Sequence, residues 1–524
     1  MTLSAIYVTV VVVLLLVALV KEALRPGLIL LSGAVLFLCG GILTPKEMLE
    51  GFSNKGMMTV AFLFLISEGV RRSGLLEKAL FSILPKKETN VPKVQLRMLP
   101  VVSFISAFLN NTPVVVIFAP MLKRWAERMK QPATKLLIPL SFATIFGGMC
   151  TLIGTSTNLV VHGMALDAAE MNPDSGIRGL SMFELGQIGV FVVLAGTLYI
   201  LLASKYLLPD RREIPYDVVS DEADSRYFRV EVVLGARFPA IGKAIRNFDF
   251  KRKYGAMLLE LRRGGERFIM HDLRKEKFRE GDTLVLLADD SFMQNWADSS
   301  FFLMVSTQRE AEPEMGRKKR WCTVILLALM IIGATIGEMP FMRELVPGMK
   351  FDMFFFACVT VMIMAWSNMF PARKYTKFIS WDILVTIGSA FAISKAMQNS
   401  GMADAIGLWA VNISEGHGPY VLLGIMFVLT SIFTELMTNN AAAALTFPIS
   451  LSMAEHLGVS PMPFIVAICV AASCSFCTPI GYQTNLIVQG VGGYKFSDFF
   501  KIGFPLTLIV FVISMCLIPV FWPF

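Results

Sequence analysis

Long apolar runs, each about 17 to 25 residues and separated by short polar stretches, recur along the chain, which is the length a helix needs to cross about 30 Å of hydrocarbon. They predict five crossings in each half, near 3–20, 27–43, 57–72, 136–163 and 184–208, then near 321–338, 351–370, 380–397, 463–490 and 502–522. Segments 98–122 and 421–450 are also apolar, but polar residues break each near its middle, which suits a re-entrant hairpin better than a straight span. No basic n-region or small-residue cleavage site precedes Lys21, so the opening run reads as a retained helix.

Composition agrees with this pattern: 55% of the 524 residues are apolar and only 17% are charged, whereas a soluble chain carries about 25% charge. Disordered, collagen-like and disulfide-stapled classes are excluded. The cysteines stand singly apart from Cys474 and Cys477, which read as small packing residues, and with four His they form no zinc spacing.

Charge is unevenly placed. Between Pro209 and Arg320 lie 22 of the 48 Lys/Arg and 20 of the 40 Asp/Glu, marking a water-facing domain between two membrane halves. The net charge of +8 is spread over loops, not gathered into a basic face with interleaved aromatics, so no nucleic-acid partner is indicated. Loops with Lys21 and Arg25, with Arg71, Arg72, Lys86, Lys87 and Lys93, with Lys123, Arg124, Arg128, Lys130 and Lys135, and with Arg373, Lys374 and Lys377 are basic. Loops assigned to the other side hold Asp167, Glu170, Asp174 and Glu184, or Asp404, Glu415 and His417. The excess of Lys and Arg predicts a cytoplasmic side, with both termini outside and the charged domain inside. Five crossings per half also give the halves opposite orientation.

The halves are related in sequence. Ile153–Gly163 matches Ile480–Gly490 at seven of eleven positions, an offset of 327. The same shift, within a residue, maps Ser73-Gly74 onto Ser400-Gly401 and Asn110-Asn111-Thr112 onto Thr438-Asn439-Asn440. The predicted class is thus an all-α polytopic membrane protein. It holds two inverted repeats, each of five crossings plus a re-entrant hairpin, and a small inserted α/β cytoplasmic domain. Inverted repeats favour a secondary transporter, with its site near the bilayer midplane between discontinuous helices.

Candidate chemistry lies in the polar breaks. A helix interrupted at membrane depth leaves N–H groups unpaired on one half and carbonyls on the other, so it must be buried in protein or line a wet cavity. Half-helix N-termini attract an anion, while carbonyl, amide and hydroxyl oxygens hold a small cation. Asn110, Asn111, Thr112, Thr438, Asn439 and Asn440 supply such groups at the hairpin tips. Gly154 and Gly481 are unwinding points of the neighbouring spans, beside Thr157-Asn158 and Thr484-Asn485. Isolated Asn or Thr residues would only bridge helices, at about 0.6 kcal/mol each, but four clusters under one symmetry indicate a binding site. Glu68, His162, Lys395 and Glu435 are the ionisable residues within or at the ends of the apolar stretches.

Hairpins of this kind, each followed by Gly-x-x-Thr-Asn-Leu, resemble the divalent anion/sodium symporter family, over nearly the whole membrane part. The resemblance implies uptake of sulfate or a di- or tricarboxylate, sodium as coupling ion, a dimerising scaffold and an elevator-like transport domain. It implies one sodium at Asn110, Asn111 and Gly154 and a second at Thr438, Asn440 and Gly481. The anion would lie near Asn111, Thr112, Asn439 and Asn440, with Thr157, Asn158, Thr484 and Asn485 beside it. The usual tip, Ser-Asn-Thr, has Asn110 and Thr438 at its first position here and Asn440 at its third in the second hairpin.

From Tyr227 to Ala288 the pattern predicts a strand at Phe228–Leu234, a short helix at 241–248, a strand over 256–262, a Gly264-Gly265 turn and a strand over 281–287. The run Pro239-Ala-Ile-Gly-Lys243, Tyr254-Gly255, Arg262-Arg-Gly-Gly265 and Gly281-Asp282 resembles a TrkA-C (RCK C-terminal) domain. That resemblance implies a module that pairs as a dimer, and leaves open whether it also responds to a small regulatory ligand or only dimerises. The organisation is then a first membrane repeat at 1–208, this domain at 209–308, a linker at 309–320 and a second repeat at 321–524.

Two other readings remain open: a proton-coupled or arsenite-type transporter on the same scaffold, with Glu435 the nearest carboxylate to the site, and a membrane receptor that senses an anion. A potassium channel is disfavoured, since no Thr-Val-Gly-Tyr-Gly-like filter occurs.

Overall fold

A computed structural model describes residues 2–21, 24–53, 55–85, 90–171, 176–210, 228–264, 266–273, 275–288, 292, 295, 296, 299, 301–307, 315–337, 351–414 and 418–524. Lys86, Lys87, Asp174, Tyr227, Gly265, Glu415, His417 and linker residues 309–314 lie outside the described residues.

Helices at Leu3–Val20, Pro26–Cys39, Lys55–Arg72, Leu75–Ile83, Val91–Ser106, Asn111–Arg128, Leu137–Gly148, Ser156–Met171 and Gly186–Leu207 build the first half. The same succession returns as Arg317–Gly337, Met353–Trp366, Trp381–Asn399, Met402–Ser414, Pro419–Leu436, Asn439–Leu457, Met462–Ser473, Gln483–Gly492 and Phe496–Phe521. Packing is exchanged between the halves. Pro26–Cys39 lies on Trp381–Asn399 and Met353–Trp366 on Lys55–Arg72, while Asn111–Arg128 lies on Gln483–Gly492 and Asn439–Leu457 on Ser156–Met171.

Where the pattern predicts single crossings at 136–163 and 463–490, the structure has two helices each, separated at 149–155 and 474–482. Four described helices are long and apolar enough to cross a membrane: Gly186–Leu207, Arg317–Gly337, Pro419–Leu436 and Phe496–Phe521. The other apolar helices are shorter; two of them, Ala133–Gly148 and Met462–Ser473, end at the breaks with Gly154 and Gly481 that interrupt what reads as one run. The hairpin arms extend past the apolar runs, since their ends carry Lys93, Gln95 and Arg97, or Lys123, Arg124 and Arg128. Leu194, Leu198 and Leu202, and Phe500, Phe504, Leu508 and Val512, recur every fourth residue on exposed helix faces. Such stripes fit hydrocarbon, not water.

Between the halves lies an antiparallel sheet of β1 (Phe228–Leu234), β2 (Met257–Arg263), β3 (Glu266–Ile269), β4 (Thr283–Ala288) and β5 (Phe302–Thr307), in the order β3-β2-β4-β1-β5. Phe238, Phe250, Tyr254 and Phe278 fill its core. Within 241–248 the helical part is a single 3-10 turn, Ile245–Asn247, and the α-helix of this region follows it at Phe250–Tyr254. Asp249 caps it by accepting from the Arg252 N–H at 3.0 Å, and Gly255 ends it at φ +70°, so the caps and not the upstream apolar residues set its place. Residues 317–320, predicted as linker, form the first turn of the Arg317–Gly337 helix.

The sheet rests on the helical body. Lys123 of the first hairpin forms an ion pair with Glu231 of β1 at 3.7 Å, and Val233 and Met304 join the main apolar core. A Cβ on Gly490 would lie 2.9 Å from the Gly281 carbonyl oxygen, so this helix–turn contact requires a glycine.

Candidate functional site

Each hairpin turns at a polar residue whose side chain caps nothing: the amide Asn110 and the hydroxyl residue Thr438 precede the return helices without a side-chain cap bond. The following residue does the bonding. Asn111 Oδ1 accepts from Ser106 Oγ at 2.7 Å, and Asn439 Oδ1 accepts from Thr434 Oγ1 at 2.8 Å. Both asparagines are buried, and each bond closes its own turn across five residues.

The two breaks are built alike. Thr151 Oγ1 donates to the Ala107 carbonyl and accepts from the Gly154 N–H at 3.2 Å; Thr478 Oγ1 donates to the Glu435 carbonyl at 3.2 Å and accepts from the Gly481 N–H at 3.3 Å. Asn158 Nδ2 donates to the Gly148 and Thr151 carbonyls at 3.0 and 2.9 Å, and Asn485 Nδ2 to the Ser475 and Thr478 carbonyls at 2.8 and 3.2 Å. Asn158 and Asn485 thus collect the carbonyls that unwinding leaves without helical partners. Gly154 lies so close to Gly148 that a Cβ would meet its Cα and carbonyl oxygen at 2.8 Å. At Gly481 a Cβ would overlap Ser475 Oγ and the Thr434 carbonyl oxygen.

These four elements converge on the Tyr482 hydroxyl. It accepts from Asn111 Nδ2 at 2.5 Å, lies 3.2 Å from Thr155 Oγ1 and also engages the Asn439 side chain. Around it Thr112 Oγ1 donates to Gln483 Oε1 at 3.3 Å, and Asn440 Oδ1 accepts from Ser156 Oγ at 3.3 Å and Thr157 Oγ1 at 3.1 Å. Asn111, Thr112, Thr157, Asn439 and Asn440 are therefore brought together. Thr484 and Asn485 sit one layer away, where Ser141 Oγ reaches Thr484 Oγ1 at 2.9 Å and Asn485 Oδ1 at 2.7 Å.

The halves differ in two respects. Asn158 Oδ1, unlike its counterpart in Asn485, is buried without a hydrogen-bond partner among the described residues. Glu435 stands where the first half has Ala107, and its carboxylate accepts from the Cys477 and Thr478 N–H groups at 2.8 Å each. Of the other ionisable residues singled out, Glu68 is paired with Arg71 and Arg72 and lies outside this network. Cys474 and Cys477 are free thiols.

Sequence reasoning did not single out Tyr482, Ser106, Thr434, Thr151, Thr478 or Ser141. Thr151 with Thr478, and Ser106 with Thr434, were available as hydroxyl residues repeating at the same offset as the tips. The donors here are amide, hydroxyl and carbonyl groups, and no cluster of His, Cys, Asp or Glu suited to a transition metal occurs among the described residues. Such hard oxygens suit an alkali cation.

Comparison with known proteins agrees with this architecture. An uncharacterized transporter of Synechocystis sp., sll0640, is 28% identical over 91% of this chain and 90% of its own length. Sodium/sulfate cotransporter 1 of Chlamydomonas reinhardtii is 21% identical over 91% and 85%, and the sodium-dependent dicarboxylate transporter SdcS of Staphylococcus saprophyticus 21% over 95% and 82%. Among solved structures, the YdaH transporter of Alcanivorax borkumensis has a similar fold, with a TM-score of 0.52 at 14% identity over 91% of this chain and 88% of that one. The profile described as "Citrate transporter" matches residues 14–449 and again 345–523, and the chain is accordingly a member of the citrate transporter family, a multi-pass membrane transporter and not an enzyme.

Proposed function

We propose that the protein is a secondary carrier that takes up a divalent oxyanion or a di- or tricarboxylate together with sodium. The observation that carries this reading is the meeting of both hairpin tips at the Tyr482 hydroxyl, through Asn111 and Asn439. Relatives named as sodium/sulfate and sodium-dependent dicarboxylate transporters support the substrate class and the coupling ion.

The two halves act as inverted repeats, and the swapped packing of their helices supports that symmetry. Asn110, Asn111 and Gly154 hold one sodium, and Thr438, Asn440 and Gly481 a second. The unpartnered Asn158 Oδ1 is a further oxygen on the first side. The anion lies between the return-helix N-termini, near Asn111, Thr112, Thr157, Asn439 and Asn440, with Thr484 and Asn485 behind. Positive helix ends and two cations together offset a dianion, so the substrate is held only when the cations are present. The tips and broken helices move as an elevator against a dimeric scaffold. Both termini face outward, and residues 209–308 form a cytoplasmic inserted domain of TrkA-C type that pairs and responds to a small ligand.

Reconstituted uptake of labelled sulfate, succinate and citrate, with sodium and proton gradients imposed separately, tests the proposal. Sodium-driven uptake of one anion that is lost in Asn111→Ala and Asn439→Ala, with both variants still inserting, is the expected result. Undiminished uptake in both variants refutes the site. The proton-coupled reading rests on Glu435, the carboxylate bonded into the second break, and requires uptake that follows the proton gradient without sodium.

A further inference from the structure

A cavity of about 510 Å³ opens where the Arg317–Gly337 helix begins, lined by Leu75, Lys78, Arg317, Arg320 and Trp321. Among the described residues, three of the five lining side chains are cations and none is acidic. The helix start makes this more pronounced. Residues 317–320 read Arg-Lys-Lys-Arg, and the first turn holds no acidic residue. An N-terminal helix end carries about half a positive charge, so cations there are unfavourable unless an anion joins them.

Arg320 supplies an independent sign of a missing partner. It is only 7% exposed, it lines the cavity, and although one guanidinium nitrogen donates to the Met315 carbonyl at 3.1 Å, its Nε has no hydrogen-bond partner among the described residues. A buried guanidinium N–H left unpaired is costly, and a phosphate is the planar fork's ordinary complement.

The depth of the cavity follows from the same helix. Trp321, Ile325, Leu329 and Ile332 are all exposed, at spacings of four, four and three, so one face of this span points outward as an apolar stripe that begins at Trp321. Tryptophan at the end of such a stripe marks the headgroup level of a bilayer, and basic residues beside it attract anionic headgroups. Leu75 gives the cavity an apolar wall on which a glycerol backbone can rest.

We infer that this cavity is a binding site for a phosphate-bearing anion, presented by the headgroup of an acidic phospholipid. Lys78 and Arg317 meet the phosphate from the exposed side and Arg320 from the buried side, and Trp321 sets its height. The inference needs only a protein embedded in a membrane, not any particular transported anion, so binding and uptake assays report on it and on the carrier reading separately.

The test is native mass spectrometry of the full-length protein with phosphatidylglycerol, phosphatidylcholine and glycerol 3-phosphate as probes. The expected result is retention of phosphatidylglycerol over phosphatidylcholine by about tenfold. That preference is lost in Arg317→Gln/Arg320→Gln and reduced in Lys78→Gln/Arg317→Gln, whose side chains are exposed and whose replacement leaves the fold intact. Equal retention of the two lipids, or an unchanged preference in both variants, overturns the site. Displacement of phosphatidylglycerol by equimolar glycerol 3-phosphate overturns the lipid as source and leaves a free phosphate ester as the occupant.

Discussion

Lys123 Nζ lies 3.7 Å from a carboxylate oxygen of Glu231, joining the return helix of the first hairpin to strand β1 of the sheet. Lys123 is 12 residues from Asn111 on the same helix, about 18 Å along its axis. The Gly281–Gly490 contact joins the sheet to the helix that carries Thr484 and Asn485. The sheet therefore holds two of the helices that end at the candidate site.

Reversing either charge leaves two like charges facing each other, with the Lys123 side chain nearly buried. Lys123→Glu and Glu231→Lys are each expected to destabilise the protein by about 1–3 kcal/mol, between the values for exposed and buried pairs. The double exchange is expected to restore much of that loss. Thermal unfolding in detergent measures the cycle, and additive losses in the double variant would rule out a direct pairing.

The same pair sets an acid limit. Burial pushes the Glu231 carboxyl up, but Lys123 and Arg262 beside it override burial and hold it below the ordinary glutamate value of about 4.3. A depressed folded value means the pair stabilises the protein fully above about pH 4.3 and is lost as pH falls through the folded value. Protease protection of residues 228–307 is expected to fall in that acid range in the wild type. In Glu231→Gln it is expected to be weaker already at neutral pH.

Tyr482→Phe keeps the ring and removes the hydroxyl that meets Asn111, Thr155 and Asn439. Asn111 Nδ2 then loses its acceptor in a buried setting, at a cost of about 1–3 kcal/mol. Uptake is expected to fall on the order of tenfold, with normal membrane insertion. Wild-type rates in Tyr482→Phe would show that the hydroxyl is not the point at which the tips are held together.

The sequence marked the parts of this candidate site but not the residue at which they meet. The tips and breaks were legible because Asn and Gly are costly in the middle of apolar runs, and because one offset relates both sets. Tyr482 was not, since an aromatic residue in an apolar chain carries no such signal. Its first-half counterpart is Thr155, so the repeat does not mark it either. The helices at Leu75–Ile83 and Met402–Ser414 were hidden for another reason: they are too short for the span criterion and are stabilised by tertiary packing. The position of the Phe250–Tyr254 helix depends on an Asp cap and a left-handed glycine, which periodicity does not register.

Gly481→Ala tests how closely the second break is packed. A methyl there overlaps Ser475 Oγ and the Thr434 carbonyl oxygen, and Thr434 is the residue that closes the second tip through Asn439. Overpacking of this kind costs about 1–3 kcal/mol. Uptake is expected to drop more than stability, because the shifted atoms belong to the site itself. Gly418→Ala, at the N-cap of the Pro419–Leu436 helix with φ +73° and at the end of that helix away from the tip, is the control: it is expected to cost stability without a selective loss of uptake.

Glu435→Gln separates the two coupling modes. Both carboxylate oxygens accept from backbone N–H groups of the second break, whereas a glutamine would turn an NH2 toward one of them and set donor against donor. Losing one such charge-assisted bond costs about 1.5–3 kcal/mol, and the 474–482 segment would be held less firmly to its hairpin, with the Thr478 hydroxyl still bonded to the residue-435 carbonyl. The first half has Ala107 at this position, so the change bears on the proposed second sodium site alone. In a sodium-coupled carrier the sodium titration of uptake is expected to shift to higher concentration in Glu435→Gln, and an imposed proton gradient should drive nothing in either protein. In a proton-coupled carrier the wild type would instead follow the proton gradient, and the variant would lose that response while still exchanging substrate at equilibrium. A sodium curve that coincides with the wild type would show that this carboxylate has no part in ion binding.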